Sequence, residues 1–406
     1  MFGWPLDAEE AGVWKRRPNP AAACKIGLSS VCLFSLPDAA AFGRDGVRRR
    51  EPRREAFSDR KCGNLPADLF MDNAAPVLMA SHIMKKRKMK ERPKKKSIDL
   101  FGEGPQWMSN LPESLWGVPL SNLSLPGSHD SMTYCLDKES KVSVNESKLL
   151  QFLDKHMHHI VHPIILRWSI TQELTVLEQL DAGIRYFDFR IAHKPDDSSM
   201  DLYFVHMLYT TVAVEAVLWD ILRWLRNHPW EVLILAFRNF DGLEEEHHCH
   251  LVASIKKIFA GRLCPRNVVP TLQNLWSQDF QVIVSYEDVN QVTQHSELWP
   301  AIPYWWGDKT SAEKLIQYLE RRKQNGRPVG LFVAGINLTG DLGYILTHLH
   351  GSVKKMTLKA LPFLNTWIKK QHPGSKKDCI NIIAGDFIEK NDFVKNVTDL
   401  NRKLLK

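Results

Sequence analysis

The 406 residues are 44% hydrophobic and 25% charged, the composition of a soluble globular protein with room for one large domain or two ordinary ones. The net charge of +8 is unevenly placed: residues 1–100 carry 21 Lys+Arg against 12 Asp+Glu and the remainder 33 against 34, so the main body is near neutral and no specific nucleic-acid partner is expected. Seven scattered cysteines without a paired spacing (Cys24, Cys32, Cys62, Cys135, Cys249, Cys264, Cys379) exclude a disulfide framework and read as reduced thiols.

The first segment in chain order is residues 1–104. Its opening "MFGWPLDAEEAG" places acids where a secretory signal would carry basic residues, so secretion is not expected. Sequons such as Asn337-Leu338-Thr339 are then expected to stay unmodified. The segment has no sustained period, contains "RRREPRRE", and ends in "KKRKMKERPKKK", Lys85 to Lys96. It reads as a disordered basic leader. The basic run is a solvated linker, a contact for an anionic membrane or an import-receptor signal, and the sequence does not separate these.

From residue 105 to 406 short apolar runs alternate with amphipathic stretches, which predicts one domain. Buried strands are predicted at "GIRYFDFRIAH" (183–193), "LYFVHM" (202–207), "EVLILAFRNF" (231–240), "QVIVSYED" (281–288), "VGLFVAGIN" (329–337) and "INIIAGDFI" (380–388). "NLSL" (122–125) and "IPYWW" (302–306) would bring the count to eight. Helices are predicted between them, as in "TVAVEAVLWDILRWLRNHP", where Val214, Val217, Leu218, Ile221, Leu222 and Leu225 form one stripe before Pro229. The final "EKNDFVKNVTDLNRKLLK" is another. No run of about 18 apolar residues is present to span a membrane. Apolar strands alternating with helices predict a covered parallel sheet. About eight strands fit an α/β fold of the (β/α)₈ barrel type, with a doubly wound open sheet as the competitor.

The polar residues interrupt these strands at their C-terminal ends. His129 and Asp130 follow the first in "LPGSHDSMTY", Asp188 and Arg190 end the second, and His206 the third. Arg238 ends the fourth, Tyr286, Glu287 and Asp288 the fifth, and Asp386 the last. In a barrel these ends share the rim where catalytic groups sit. Two imidazoles can move protons to and from reacting oxygens, an arginine binds phosphate and stabilises charge, and a carboxylate behind an imidazole fixes its tautomer. The set suits phosphoryl transfer. Calcium or magnesium would need several carboxylates, whereas Arg190 and Arg238 place two cations in the cluster. No cofactor is therefore expected, and calcium in particular is not. "HHCH", His247 to His250, lies in a predicted helix whose consecutive residues diverge, so a shared zinc ion is not expected. Tyr304 to Trp306 read as a substrate wall, a membrane-touching rim or barrel packing.

"LPGSHDSMTY", "QLDAGIRYFDFRIAH", "LYFVHM" and "IIAGDF", in this order, resemble the phosphatidylinositol-specific phospholipase C X domain, and "PYWWG" with "LFVAGINLT" resembles its stand-alone X-domain-containing members. The resemblance implies a distorted (β/α)₈ barrel, a TIM-type fold, that cleaves the inositol lipid between glycerol and phosphate. It implies His129 as general base on the inositol 2-hydroxyl and His206 as general acid toward diacylglycerol. Arg190 would hold the phosphate, with Asp130 beside it and Asp188 in the same cluster, and Asp386 would orient His129. Arg238 and Tyr286 are expected to bind substrate. Calcium-dependent relatives carry acidic residues where Arg190 and Arg238 stand, and the departure agrees with a metal-independent reaction. The partner expected is a phosphoinositide at a membrane surface, met by a peripheral cytoplasmic protein that the leader could also direct to the nucleus. The alternative is an inositide-binding adaptor that keeps the barrel without useful turnover.

Overall fold

The computed structural model describes residues 104–405 apart from Asp196. The leader, with Lys85 to Lys96, lies outside the described residues save for Gly104. Among the described residues the strands are β1 (Leu125–Ser128), β2 (Tyr186–Ala192), β3 (Tyr203–His206), β4 (Leu208–Ala213), β5 (Leu233–Asp241), β6 (Val282–Tyr286), β7 (Leu298–Trp299), β8 (Tyr304–Trp305), β9 (Val333–Gly335) and β10 (Ile382–Gly385). Eight of them pair in parallel in the order β7-β6-β5-β2-β1-β10-β9-β8. Sequence order therefore runs around one curled sheet, with an open seam between β7 and β8. This is the expected (β/α)₈ barrel, distorted at the seam.

Helices α1 (Lys148–His156), α2 (His158–Ser169) and α3 (Val176–Ala182) separate β1 from β2, and α4 (Val214–Asn227) precedes β5. Further on, α5 (Glu245–Phe259) and α6 (Leu272–Ser277) precede β6, and α7 (Val289–Gln294) precedes β7. Then α8 (Ala312–Gln324) precedes β9, α9 (Leu342–Thr347) and α10 (Val353–Lys370) precede β10, and α11 (Phe393–Thr398) follows it. Local chemistry sets the ends of these helices. On α3, Thr175 and Glu178 form a capping box, and Gly183 at φ 112° ends the helix in the left-handed conformation a glycine tolerates. All six stripe residues of α4 are buried, and the helix stops two residues before Pro229.

The first strand lies at Leu125–Ser128, three residues beyond the expected "NLSL", and two further strand expectations need correction. "LYFVHM" is not a barrel strand: β3 pairs antiparallel with the far end of β2, Ile191 opposite Phe204, and folds back into β4, which the sequence reading missed. The eighth parallel strand is instead β7, two residues long and too short to leave a periodic signal. A third departure concerns the thiols. Cys249 is disulfide-bonded, while Cys135, Cys264 and Cys379 are free as expected.

Strand alternation divides the core in two. Phe187, Phe189, Leu233, Leu235, Phe237, Val282 and Val284 pack outward against helices. Leu125, Tyr186, Ile234, Ile283, Val333 and Ile382 fill the barrel interior, joined from below by Trp107, Met108 and Leu111. Three strands repeat one interior pattern, an apolar residue, a small one and a polar one at i, i+2 and i+4: Leu125-Gly127-His129, Val333-Gly335-Asn337 and Ile382-Ala384-Asp386. Parallel register sets these side by side, with Leu125 opposite Ile382 and Gly127 opposite Ala384. A methyl group on Gly127 or Gly335 would collide with the rings of Tyr186 or Tyr304. The barrel is thus closed by hydrocarbon below and lined with polar groups above.

The lower end is fastened by a fully buried ion pair. Arg185 Nη2 and Nε donate to Glu231 Oε2 at 2.8 and 3.0 Å. The remaining guanidinium protons reach the carbonyls of Leu180, Ile184 and Pro105, and Glu231 accepts from the Met108 and Ser109 amides. Every charge there is satisfied, so removing one partner strands the other in hydrocarbon. Glu231→Ala is expected to lower stability by about 3–5 kcal/mol in urea unfolding of the full chain. A loss near zero would show that the plug does not depend on this pair.

Candidate active site

The first and last barrel strands assemble the central pair. The His129 amide donates to the Gly385 carbonyl at 3.1 Å, which extends the β1–β10 ladder and brings His129 beside Asp386. His129 Nδ1 then lies 2.8 Å from Asp386 Oδ1. A carboxylate accepts, so Nδ1 carries the proton and the neutral ring presents the Nε2 lone pair to the cleft. The Gln172 amide donates to both the His129 and Gly385 carbonyls, at 2.8 and 2.9 Å, and clamps the two strand ends together.

His206 arrives by a different route. It ends β3, in the antiparallel hairpin appended to β2, so its place on the rim is created by an excursion and not by the barrel itself. Its Nδ1 donates to the Ser169 carbonyl at 2.6 Å, at the end of α2. Its Nε2 faces Asp130 Oδ2 at 3.2 Å, and the same oxygen lies 3.2 Å from His129 Nε2. The two imidazole centroids are 6.3 Å apart. Arg190 pairs with Asp130 through Nε, places Nη2 3.0 Å from His129 Nε2, and lies 3.6 Å from Asp188. Arg238 lies 3.9 Å from Asp188 and packs 5.4 Å from the Tyr304 ring centre. A small recess opens beside Asp130, Asp188, Arg190 and His206.

The electrostatics separate the two imidazoles. Burial alone would depress His129, but the carboxylates of Asp130 and Asp386 outweigh it and raise its pKa. At His206 burial prevails, helped by the charges of Arg190 and His129 against the pull of Asp130, and the pKa is lowered. Burial would likewise raise Asp130, yet Arg190 and the two histidines hold it below the usual carboxylate range. Burial raises Asp386, against the opposing pull of His129.

Backbone strain marks the same positions. A non-glycine residue with positive φ directly follows each of four cluster residues: Asp130 (43°) after His129, Met207 (63°) after His206, Asn239 (76°) after Arg238 and Phe387 (50°) after Asp386. Left-handed turns here lead the chain away from the rim while the preceding side chain stays in the cleft.

Of the expected site residues, the structure brings together His129, Asp130, Asp188, Arg190, His206, Arg238 and Asp386. Tyr286 is the exception. On β6 it is an outward position, its hydroxyl meets His248 Nδ1 on α5 at 2.8 Å, and it is fully buried between sheet and helix. Alternation explains the error, because a strand's consecutive end residues face opposite ways. The "HHCH" run does diverge, with His248 on Tyr286 and the His247 ring tilted against His193, centroids 4.1 Å apart. Sequence reading missed Asn337 as a site residue. Asn337 Oδ1 accepts from the Tyr304 hydroxyl at 3.0 Å, which turns Nδ2 toward His129 Nε2 at 3.4 Å. The V-x-G-x-N pattern, matching L-x-G-x-H and I-x-A-x-D, was the available signal. Trp305 is packed against Phe332 instead.

His129, Asp130 and Asp188 offer donor atoms within 4.8 Å of one another, a spacing a cation could use. The donor set does not fit calcium, which takes about six to eight oxygens. Both carboxylates already face the Arg190 guanidinium, and Arg238 adds a second positive charge.

Comparison with known proteins shows the fold and the family. A family model described as PI-PLC X 1 matches residues 144–317. The chain is 57% identical over 299 residues to PI-PLC X domain-containing protein 1 of Homo sapiens, covering 74% of this chain and 93% of that protein. It is 38% identical to PI-PLC X domain-containing protein 2 of Mus musculus, covering 73% and 87%. Among solved structures it resembles the phosphatidylinositol-specific phospholipase C of Listeria monocytogenes, with TM-score 0.51, 19% identity and coverage of 74% and 99%. A variant of the enzyme of the same name from Staphylococcus aureus gives TM-score 0.55, 16% identity and coverage of 75% and 98%. The fold is that of these barrel enzymes, and by its sequence the chain belongs to the PI-PLC X domain-containing protein family.

Proposed function

We propose that the protein is a metal-independent phosphodiesterase of the phospholipase C type, cleaving phosphatidylinositol or a related phosphoinositide to diacylglycerol and an inositol phosphate. The observation that carries this reading is the pair of imidazoles 6.3 Å apart around Arg190, one of them bonded to a buried carboxylate. His129, with its proton held on Nδ1 by Asp386, takes the proton of the inositol 2-hydroxyl at Nε2. The hydroxyl oxygen attacks phosphorus and the glycerol oxygen leaves, protonated by His206 acting with Asp130. The product is a cyclic 1,2-phosphate. Arg190 neutralises the charge on the phosphoryl oxygens, with Arg238 behind it, and the two guanidinium groups supply the electrostatic stabilisation a bound metal would give.

A lipid at a membrane is the substrate that suits the surroundings. Leu149, Phe152, Met157 and Ile160 on and between α1 and α2 are exposed, at 46–62% of their surface, and α2 ends at the carbonyl that holds His206. We place the protein in the cytoplasm, peripheral at membranes.

His129→Ala and His206→Ala are each expected to reduce turnover of phosphatidylinositol by about 10²–10⁴-fold, with the wild-type rate unchanged in a calcium chelator. A rate that needs calcium would sink the metal-free mechanism. Absence of turnover on phosphatidylinositol and its phosphorylated forms would favour an inositide-binding adaptor.

The pH dependence has a definite sign. In the free protein His129 holds a proton more tightly than His206, so the working form, with His129 neutral and His206 charged, is the minor singly protonated one. The kcat/KM profile is then a bell whose alkaline limb follows His129. Asp386→Asn removes a negative charge that raises His129, and should move that limb to lower pH while reducing the maximum. A limb that stays in place would remove His129 from the role.

Phe152→Ala combined with Ile160→Ala should weaken binding to phosphatidylinositol vesicles without changing turnover of a soluble inositol phosphodiester. Equal loss on both substrates would mean that the helix pair supports the site and not the membrane contact.

A further inference from the structure

Outside the catalytic cluster, three side chains converge where α1 meets α2. Asp154 Oδ1 lies 2.9 Å from His162 Nδ1 and 3.4 Å from His158 Nδ1, and the three donor atoms are within 4.8 Å of one another. Spacing of four residues, twice over, stacks them along one face across the break at Met157, whose φ of −129° ends α1 and starts α2. Asp154 and His162 are buried, and the His158 side chain is 45% exposed.

The hydrogen bonding leaves a charge to be supplied. His162 Nε2 sits 2.8 Å from the Lys138 carbonyl. A carbonyl only accepts, so Nε2 carries the proton and a neutral ring points its Nδ1 lone pair at a carboxylate oxygen that is also only an acceptor. Either a second proton on His162 or a cation fills that contact. The proton fills it alone, with a neutral His158 ring donating Nδ1–H to the same oxygen at 3.4 Å, whereas one divalent cation engages all three donor atoms at once.

We propose that Asp154, His158 and His162 form a binding site for a divalent transition metal of the zinc type. Two imidazoles and one carboxylate are a borderline donor set, which suits zinc in preference to calcium or magnesium. A tetrahedral zinc ion with ligands at about 2.0–2.1 Å places its donors about 3.3 Å apart, close to the separations here. The Lys138 carbonyl plays the outer-shell part, fixing the His162 tautomer that presents Nδ1. The fourth position opens on the exposed His158 side and takes water. The ion would clip α1 to α2, whose last carbonyl, at Ser169, orients His206.

The test uses the full chain, stripped of metal and titrated with zinc against a chromophoric chelator. Wild type should bind zinc, and His158→Ala, at a half-exposed position that leaves the fold intact by circular dichroism, should weaken that binding by at least ~100-fold. Asp154→Asn should do the same. A double variant, His247→Ala with His250→Ala, should bind as wild type, which separates this site from the other histidine-rich helix. Cobalt in place of zinc should give the visible absorption of a four-coordinate ion in wild type and lose it in His158→Ala. No zinc binding by the wild type, or zinc held equally by His158→Ala, would overturn the proposal.

Discussion

The parallel pairing of the first barrel strand with the last is the constraint on which the rest depends. Register puts Ser128 opposite Gly385, so the next residue on each strand, His129 and Asp386, leaves the sheet at the same height and on the same side. Their 2.8 Å contact spans 257 residues of sequence. It fixes the imidazole tautomer, and with it which nitrogen faces the cleft. Other groups then fall into place around that nitrogen: Arg190 from β2, Asn337 from beyond β9 and Asp130 from the turn itself. A one-residue slip of β10 would turn Asp386 into the helical layer, because side chains alternate across the sheet.

The rim stores strain beside the clustered polar residues. Left-handed φ angles at Asp130, Met207, Asn239 and Phe387 are each unfavourable for a residue with a side chain, by roughly 1–3 kcal/mol in general. They persist because the surrounding contacts hold them, as the Thr171 hydroxyl does for the Asp130 carbonyl. The stability that permits this comes from the opposite end, where Trp107, Arg185 and Glu231 close the interior and the Arg185–Glu231 pair has its hydrogen bonds filled. A stable floor beneath a strained rim is the division of labour expected of a barrel of this kind.

Charge sets the character of the cluster. Asp130, Asp188 and Asp386 are buried close together. Arg190 and Arg238 carry permanent charge, since a guanidinium does not give up its proton, and against the effect of burial Arg190 and the two histidines hold Asp130 below the usual carboxylate range. The same pairing leaves a positive fork beside His129. The Asp154, His158 and His162 cluster on α1 and α2 differs in this respect: its donor atoms are two imidazole nitrogens and a carboxylate oxygen, with no guanidinium among them.

Much of the fold was legible in the sequence because apolar strands and amphipathic helices obey periods that the chain itself carries. The alternation in "GIRYFDFRIAH" and "INIIAGDFI", the stripe on α4 and the polar residues at strand ends all survive in the structure. Strand direction and side were less legible. "LYFVHM" has the same apolar run whether it joins the barrel or folds back along β2, and Tyr286 looks like a rim residue until alternation turns it toward α5. Local pattern, set by the chain's own stereochemistry, determined most element types and the parallel barrel, and marked at strand ends seven of eight named residues that the structure brings together. Tertiary structure alone decided which distant residues became neighbours: Asp386 on His129 and Asn337 against its Nε2. Those contacts depend on register between segments far apart in the chain, and no window along the sequence contains that information.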